Sequence, residues 1–180
     1  SAVIDFAGAT QARRAEALIV RGALRAEQSQ YPRALADFGR ALRLDGDNAQ
    51  IYFQRGLAHQ ASGAFDVAVR DFDRALALQP GLQAALDSRA AALQQRVTSF
   101  QQELAMLDQQ LVRSPTDAAL LNNRCWLRAV NNDNLDAALA DCNASLAARP
   151  NDANVLDSRG LVQFKRGDYQ GAITGFTAFV

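Results

Sequence analysis

Hydrophobic and polar positions recur along this chain with the period of an α-helix, and short breaks divide the pattern into pairs of helices. Within residues 49–82, Tyr52, Gly56 and His59 follow one another at spacings of three and four residues, which places them on one face of a helix. Gly63 then interrupts the run. A second apolar stripe follows at Phe65, Ala68, Phe72 and Ala75. No alternating strand pattern competes, so the sequence predicts antiparallel helix pairs throughout.

The helix-pair pattern repeats along the chain. The stretch 20–45 aligns with the stretch 54–79, and the aligned pairs are Arg21/Arg55, Gly22/Gly56, Tyr31/Phe65, Ala34/Ala68, Asp37/Asp71, Phe38/Phe72 and Ala41/Ala75. Looser copies are marked by an arginine at the same place, namely Arg89, Arg124 and Arg159. The predicted copies are 15–48, 49–82, 83–117, 118–152 and 153–180, the last truncated. Residues 1–14 are predicted to form an N-terminal extension or capping segment. Two helices for each copy predict about ten helices.

This repeat resembles the tetratricopeptide repeat, a 34-residue helix–turn–helix. Positions within a copy are called slots here; the family has large residues at slots 4, 11, 17 and 24, small residues at slots 8, 20 and 27, and proline near slot 32. The second copy matches at Tyr52, Gly56, Phe65, Ala68, Phe72, Ala75 and Pro80. The third copy departs most, with Glu103 and Gln110 in small slots. The resemblance implies an all-α fold, a right-handed superhelical solenoid of about five stacked repeats.

The resemblance also implies a scaffold that binds proteins or peptides and is not an enzyme. In this family the first helix of each copy lines a concave groove. The groove residues that we predict by this correspondence are Phe53, Gln54, Leu57, Asn122, Asn123, Trp126, Asp157, Leu161 and Phe164. Trp126, flanked by amides that can both donate and accept hydrogen bonds, is the candidate anchor for a partner. The alternative is that Trp126 packs against a neighbour such as Leu161.

Two classes of function stay open. The first is a free-standing adaptor that holds a peptide or a helix of a partner protein in an uncharged groove. The second is a regulatory or targeting fragment of a larger enzyme or assembly protein. The chain shows no nucleophile–base pair, no carboxylate dyad and no glycine-rich phosphate loop, so neither an activity nor a cofactor is predicted. The apolar ending "FTAFV" predicts that copies of the chain pack end to end.

The two cysteines fall at facing core positions of the fourth copy. Cys125 occupies slot 8 and Cys142 occupies slot 24. A pair of free cysteines serving as small core residues and a Cys125–Cys142 disulfide both remain open. A disulfide would indicate a periplasmic or secreted protein, and free thiols would indicate a cytoplasmic one. No metal site is predicted, because two cysteines without a neighbouring histidine fall short of the four ligands of zinc.

Charge excludes one class of partner and predicts a structural network. The formal net charge is zero, so the chain has no surplus of basic residues with which to hold nucleic acid. No apolar run approaches the roughly 20 residues that a membrane span needs. The recurring arginine and the aspartates Asp37, Asp71 and Asp141 predict an Arg–Asp ladder between helices. The alternative, a line of exposed anion-binding arginines, is disfavoured by those aspartates.

Overall fold

The computed structural model describes residues 2–177, with side chains from residue 10 onward, and within that range it contains helices and no strand. The helices are α1 (Ala2–Glu27), α2 (Tyr31–Leu44), α3 (Ala49–Ala61), α4 (Phe65–Leu78), α5 (Gln83–Arg113), α6 (Ala118–Asn131), α7 (Leu135–Ala148), α8 (Ala153–Lys165) and α9 (Tyr169–Thr177). The predicted all-α helical repeat fold is confirmed. None of these helices combines the length and the apolar character that crossing a bilayer requires.

Most of the described helices pack in consecutive pairs, as the repeat pattern predicts. The pairs are α1 with α2, α3 with α4, α6 with α7, and α8 with α9. Helix α3 also packs on α2, and α8 packs on α7, so the second helix of one copy supports the first helix of the next. Because one helix pair cannot bury its apolar face alone, this stacking completes the core.

The third copy differs from the prediction of two helices. Residues Gln83–Arg113 form the single 31-residue helix α5, so the described residues contain nine helices instead of ten. The other copies turn at residues with positive φ: Ser29, Gly63, Asn132 and Gly167. The corresponding stretch of α5, residues 96–100, is Arg-Val-Thr-Ser-Phe and contains neither glycine nor asparagine. Glycine or asparagine makes this turn in three of the four other copies, and without either residue the backbone of α5 continues as a helix.

The chain divides into two compact units, residues 1–97 and 98–180, and the boundary falls inside α5. The core of the first unit contains Phe38, Ile51 and Phe72. The core of the second unit contains Cys125, Cys142 and Val162. The predicted division between an extension, residues 1–14, and a repeat array, residues 15–180, stays a prediction. Side chains of residues 1–9 and residues 178–180 of the apolar ending lie outside the described part.

Glycine at slot 8 allows the two helices of a copy to approach closely. A Cβ atom built on Gly22, Gly56 or Gly160 would lie 2.6–2.8 Å from a ring carbon of Phe38, Phe72 or Phe176, respectively. Cβ atoms essentially never approach another atom so closely, so a side chain at slot 8 would force the aromatic ring to move. The pattern therefore pairs a glycine on the first helix with a phenylalanine on the second.

The fourth copy replaces the glycine–phenylalanine contact with a covalent bond. Cys125 on α6 and Cys142 on α7 form a disulfide with a Cα–Cα distance of 5.5 Å, which lies within the usual range for disulfides. Both cysteines are fully buried. The bond joins the two helices of the copy at the position where the other pairs use the aromatic ring.

Candidate functional site

Buried aspartates on the second helices accept hydrogen bonds from arginines on the first helices. In the first copy, Arg21 donates from Nε and Nη2 to the Asp37 carboxylate at 2.8 and 2.7 Å, and Arg25 donates to it at 2.5 Å. Asp37 itself is fully buried. The hydrogen bonds from Arg21 lower the pKa of Asp37 below its ordinary value and outweigh burial, which acts in the opposite direction. We call this arrangement an Arg–Asp clamp.

The second copy contains the same clamp. Arg55 donates to Asp71 at 2.8 and 2.5 Å, and His59 Nε2 lies 3.8 Å from the same carboxylate. Burial lowers the pKa of His59 below its ordinary value, and the nearby Asp71 acts in the opposite direction. The lowered pKa favours the uncharged form of His59, which occupies the position that Arg25 holds in the first copy.

The fourth copy contains the clamp with the most partners. Arg124 donates to Asp141 at 2.8 and 2.6 Å, and Arg128 donates to Asp141 at 2.8 Å. Arg124 also reaches Asp108 on α5 at 2.7 Å. Hydrogen bonds to Asp141 raise the pKa of Arg124 above its ordinary value. The predicted Arg–Asp ladder is confirmed, and these arginines are engaged by carboxylates within the protein.

Trp126, on α6, separates two clefts in the second unit, and 48% of its surface is exposed. The larger cleft, about 620 Å³, lies between α6 and the second half of α5. Met106, Leu107 and Val130 form its apolar lining, and Met106 is 57% exposed. Its polar lining comes from Glu103, Gln110, Asn123 and Asn131. A concave surface with exposed large apolar side chains and a few polar groups is typical of a binding site.

The smaller cleft, about 280 Å³, lies on the other side of Trp126, between α6 and α8. Its lining is polar apart from the indole and consists of Asn122, Asn123, Asn154, Asp157 and Ser158. Oδ1 of Asn122 is buried and has no hydrogen-bond partner in the protein. A buried acceptor of this kind gains free energy when a donor, such as the N–H of a peptide, reaches it.

Three family models match the chain, each described as a tetratricopeptide repeat (TPR). They match residues 22–63, 49–82 and 127–178, which together span more than half of the chain. The chain belongs to the tetratricopeptide repeat family. Residues 83–126, which include α5 and the start of α6, fall between the matched segments of this TPR protein.

One curated relative and two solved structures illustrate the likeness. The human mitochondrial import receptor subunit TOM70 is 36% identical over 78 residues, which cover 43% of this chain and 13% of the receptor. MamA 41-end from Desulfovibrio magneticus RS-1 is 19% identical with a TM-score of 0.44, covering 91% of this chain and 92% of that one. YrrB, "a TPR protein with an unusual peptide-binding site", is 20% identical with a TM-score of 0.42, covering 89% and 82%.

The structure brings together the predicted groove residues of the fourth copy and one of the fifth. Asn122, Asn123, Trp126 and Asp157 line one cleft. Leu161 instead packs against the core that contains the disulfide. Phe164 is 54% exposed and makes an edge-on contact with Tyr169, with ring centroids 5.8 Å apart.

The predicted groove residues of the second copy lie in the first unit and are half-buried. Phe53 and Leu57 pack against the core, and the ring centroid of Phe53 lies 6.0 Å from that of Phe72. Gln54 is also half-buried. Phe53 and Leu57 on α3 therefore contribute to the core and are also partly exposed at the surface.

Sequence reasoning missed the residues that α5 contributes to the larger cleft. Glu103, Met106 and Gln110 line it because α5 continues without a turn. The prediction placed Glu103 and Gln110 at small packing slots of a separate second helix, where a long polar side chain is unfavourable. The absence of glycine and asparagine in 96–100 was the signal that could have identified them. Within the described part of the chain, no three or more His, Cys, Asp or Glu side chains are grouped so that they could hold a metal ion.

Proposed function

We propose that this TPR protein is a non-enzymatic adaptor that holds a peptide or a helix of a partner protein beside Trp126. The observation that supports this most is the half-exposed indole between two clefts, one with both apolar and polar walls and one lined by amides. The TPR family supports the coarser statement, that the chain is a scaffold for protein–protein interaction.

The two clefts suit different parts of a peptide. The larger cleft accepts an apolar side chain against Trp126, Met106 and Val130. The smaller cleft offers the amide groups of Asn122 and Asn154 to the peptide backbone, because an amide both donates and accepts. Charged residues are few in either lining, so we expect affinity to depend weakly on salt.

Other predicted groove residues extend the proposal. Phe164 is exposed on the fifth copy, where it can contact a partner. Phe53, Gln54 and Leu57 offer a separate half-buried surface on the first unit. We propose all four as secondary contacts, weaker than Trp126, because hot spots cluster around few large side chains.

The mutation Trp126→Ala is expected to weaken binding of a peptide selected on the wild-type chain from a displayed peptide library. We expect a loss of about 2 kcal/mol, or about 30-fold in Kd, because truncation of a central aromatic anchor removes the contacts that bury most surface. Isothermal titration calorimetry at low and high salt measures the loss. Leu86→Ala is the matched control, since Leu86 is 43% exposed and lines neither cleft.

Equal affinities of the wild type and Trp126→Ala would move the binding surface away from the Trp126 clefts. A large decrease in affinity with added salt would also contradict the proposal, because it would indicate a groove dominated by charge. If Leu86→Ala weakens binding as much as Trp126→Ala does, the effect reflects the fold and not the clefts.

A second candidate is a targeting or regulatory module within a larger protein. The likeness to TOM70 favours it, since this chain spans 13% of that receptor.

We also propose that copies pack end to end, because Tyr169, Ile173 and Phe176 on α9 are 64%, 55% and 42% exposed. Sedimentation at rising protein concentration separates the self-association proposal from the peptide-binding one, which needs no second copy.

A further inference from the structure

The Arg–Asp clamps occupy the same positions in each copy that has one. In the first, second and fourth copies, slots 7 and 11 of the first helix contact one aspartate on the second helix. The aspartates are Asp37, Asp71 and Asp141, and each is buried. Such pairing compensates a charge that would otherwise lose its hydration without gaining a partner.

The fifth copy keeps the first-helix side of the clamp and lacks the aspartate. Arg159 and Gln163 occupy slots 7 and 11 on α8, and Gly175 stands where the first, second and fourth copies have aspartate. Nε of Arg159 and Oε1 of Gln163 are both buried without a hydrogen-bond partner. Two unsatisfied polar atoms one helical turn apart are costly to leave unpaired, so they point to a partner from outside the chain.

The preceding copy does not supply the missing carboxylate either. Arg89 pairs with Asp73 on α4 and Arg124 pairs with Asp108 on α5, in each case on the helix that immediately precedes its own. The position that corresponds for Arg159 holds Asn143. Among the described residues, Arg159 therefore lacks the ion pair that the four other slot-7 arginines make.

The α8–α9 contact leaves little room to restore an aspartate at residue 175. A Cβ atom built on Gly175 would lie 3.1 Å from Gly160 Cα and 3.1 Å from the carbonyl oxygen of Leu156. Both are backbone atoms of α8 and cannot rotate away. Glycine at 175 thus allows α9 to pack closely on α8, at the expense of the carboxylate.

We propose that Arg159 and Gln163 bind an acidic residue of a partner peptide. The guanidinium donates to the carboxylate of an aspartate or glutamate, as the other clamp arginines do within the chain. Gln163 Oε1 accepts an N–H from the same peptide. A peptide supplies both a carboxylate and N–H donors, whereas a simple carboxylate anion supplies acceptors alone.

This site is separate from the Trp126 clefts. Arg159 follows the cleft residue Asp157 by two positions on α8, which corresponds to a rotation of about 200° around the helix axis. The two residues therefore face different sides of α8. A partner could occupy either site without the other, so loss of binding at Trp126 says nothing about Arg159.

Arginine side-chain NMR of the full chain tests the proposal. The probe is an acetylated, amidated tripeptide, Ala-Asp-Ala, and its Ala-Asn-Ala counterpart and sodium acetate are the comparison arms. The Arg159 Nε–Hε signal is assigned by its loss in Arg159→Gln. We expect this signal to shift in a saturable way with Ala-Asp-Ala, to remain unshifted with Ala-Asn-Ala, and to respond to acetate at higher concentrations.

The variant Asn143→Asp provides the matched control. It places a carboxylate at the position from which Asp73 and Asp108 serve Arg89 and Arg124, on an exposed residue where folding should be unaffected. We expect Asn143→Asp to shift the Arg159 signal without any peptide and to abolish its response to Ala-Asp-Ala. Circular dichroism checks that both variants are folded.

Three outcomes overturn the proposal. The first is no saturable shift of the Arg159 signal with Ala-Asp-Ala. The second is the same response in Asn143→Asp as in the wild type, which would mean that the peptide acts elsewhere. The third is an equal response to acetate or to Ala-Asn-Ala, which would indicate a small-anion or non-specific effect and not recognition of an acidic peptide.

Discussion

Replacing Phe72 with alanine is expected to lower the free energy of unfolding by about 3–5 kcal/mol, the usual loss for a fully buried phenylalanine. Phe72 is 0% exposed, and its ring lies against Gly56 in the contact between α3 and α4. The substitution leaves a cavity that glycine cannot fill. Urea unfolding followed by circular dichroism measures the change.

Phe176→Ala is the matched control for Phe72→Ala. Phe176 occupies the same slot of the fifth copy and faces Gly160 in the same way, but it is 42% exposed. Its removal should therefore have a clearly smaller effect, because less apolar surface leaves water on folding. Similar losses for the two variants would show that burial at slot 24 does not determine stability in this array.

Removing the disulfide is expected to destabilise the chain by about 3 kcal/mol. The bond closes a loop between residues 17 apart in sequence, and a cross-link of that length restricts the unfolded chain by about this amount. The double variant Cys125→Ala/Cys142→Ala tests this, since alanine removes only the sulfur atom of each side chain. The free energy of unfolding is measured for both proteins with and without dithiothreitol.

The reductant separates the bond from the packing of the two side chains. We expect dithiothreitol to bring the wild type close to the double variant and to leave the double variant unchanged. A wild type whose stability is insensitive to dithiothreitol, under conditions that reduce a control disulfide, would show that Cys125 and Cys142 are free thiols that serve as small core residues.

The sequence was sufficient for features that recur in register. The resemblance to the tetratricopeptide repeat places Gly56 at slot 8 and Phe72 at slot 24, and the structure brings these two residues into contact. Arg55 and Asp71 were likewise predicted to pair, and they do. Such features follow from helical periodicity. Stacked helices also need small residues and paired charges at fixed positions, and these positions become visible when one copy is aligned with the next.

The features that the sequence did not predict arise where one copy lacks a residue that the other copies have. The repeat alignment predicts a turn within 83–113, but residues 96–100 contain neither glycine nor asparagine and the helix continues. The larger cleft beside Trp126 was missed as a result, because it needs Met106 from the uninterrupted helix. The sequence shows that residue 175 is glycine. Only the structure shows that Arg159 Nε is buried without a hydrogen-bond partner.

The central claim, that a partner peptide binds beside Trp126, is tested most directly by the fluorescence of the protein. The chain contains one tryptophan, so its emission reports on this site alone. Titration with a peptide selected on the wild-type chain is expected to shift the emission to shorter wavelengths as the half-exposed indole loses contact with water, with the same midpoint as calorimetry gives. Binding detected by calorimetry with unchanged emission would contradict the claim.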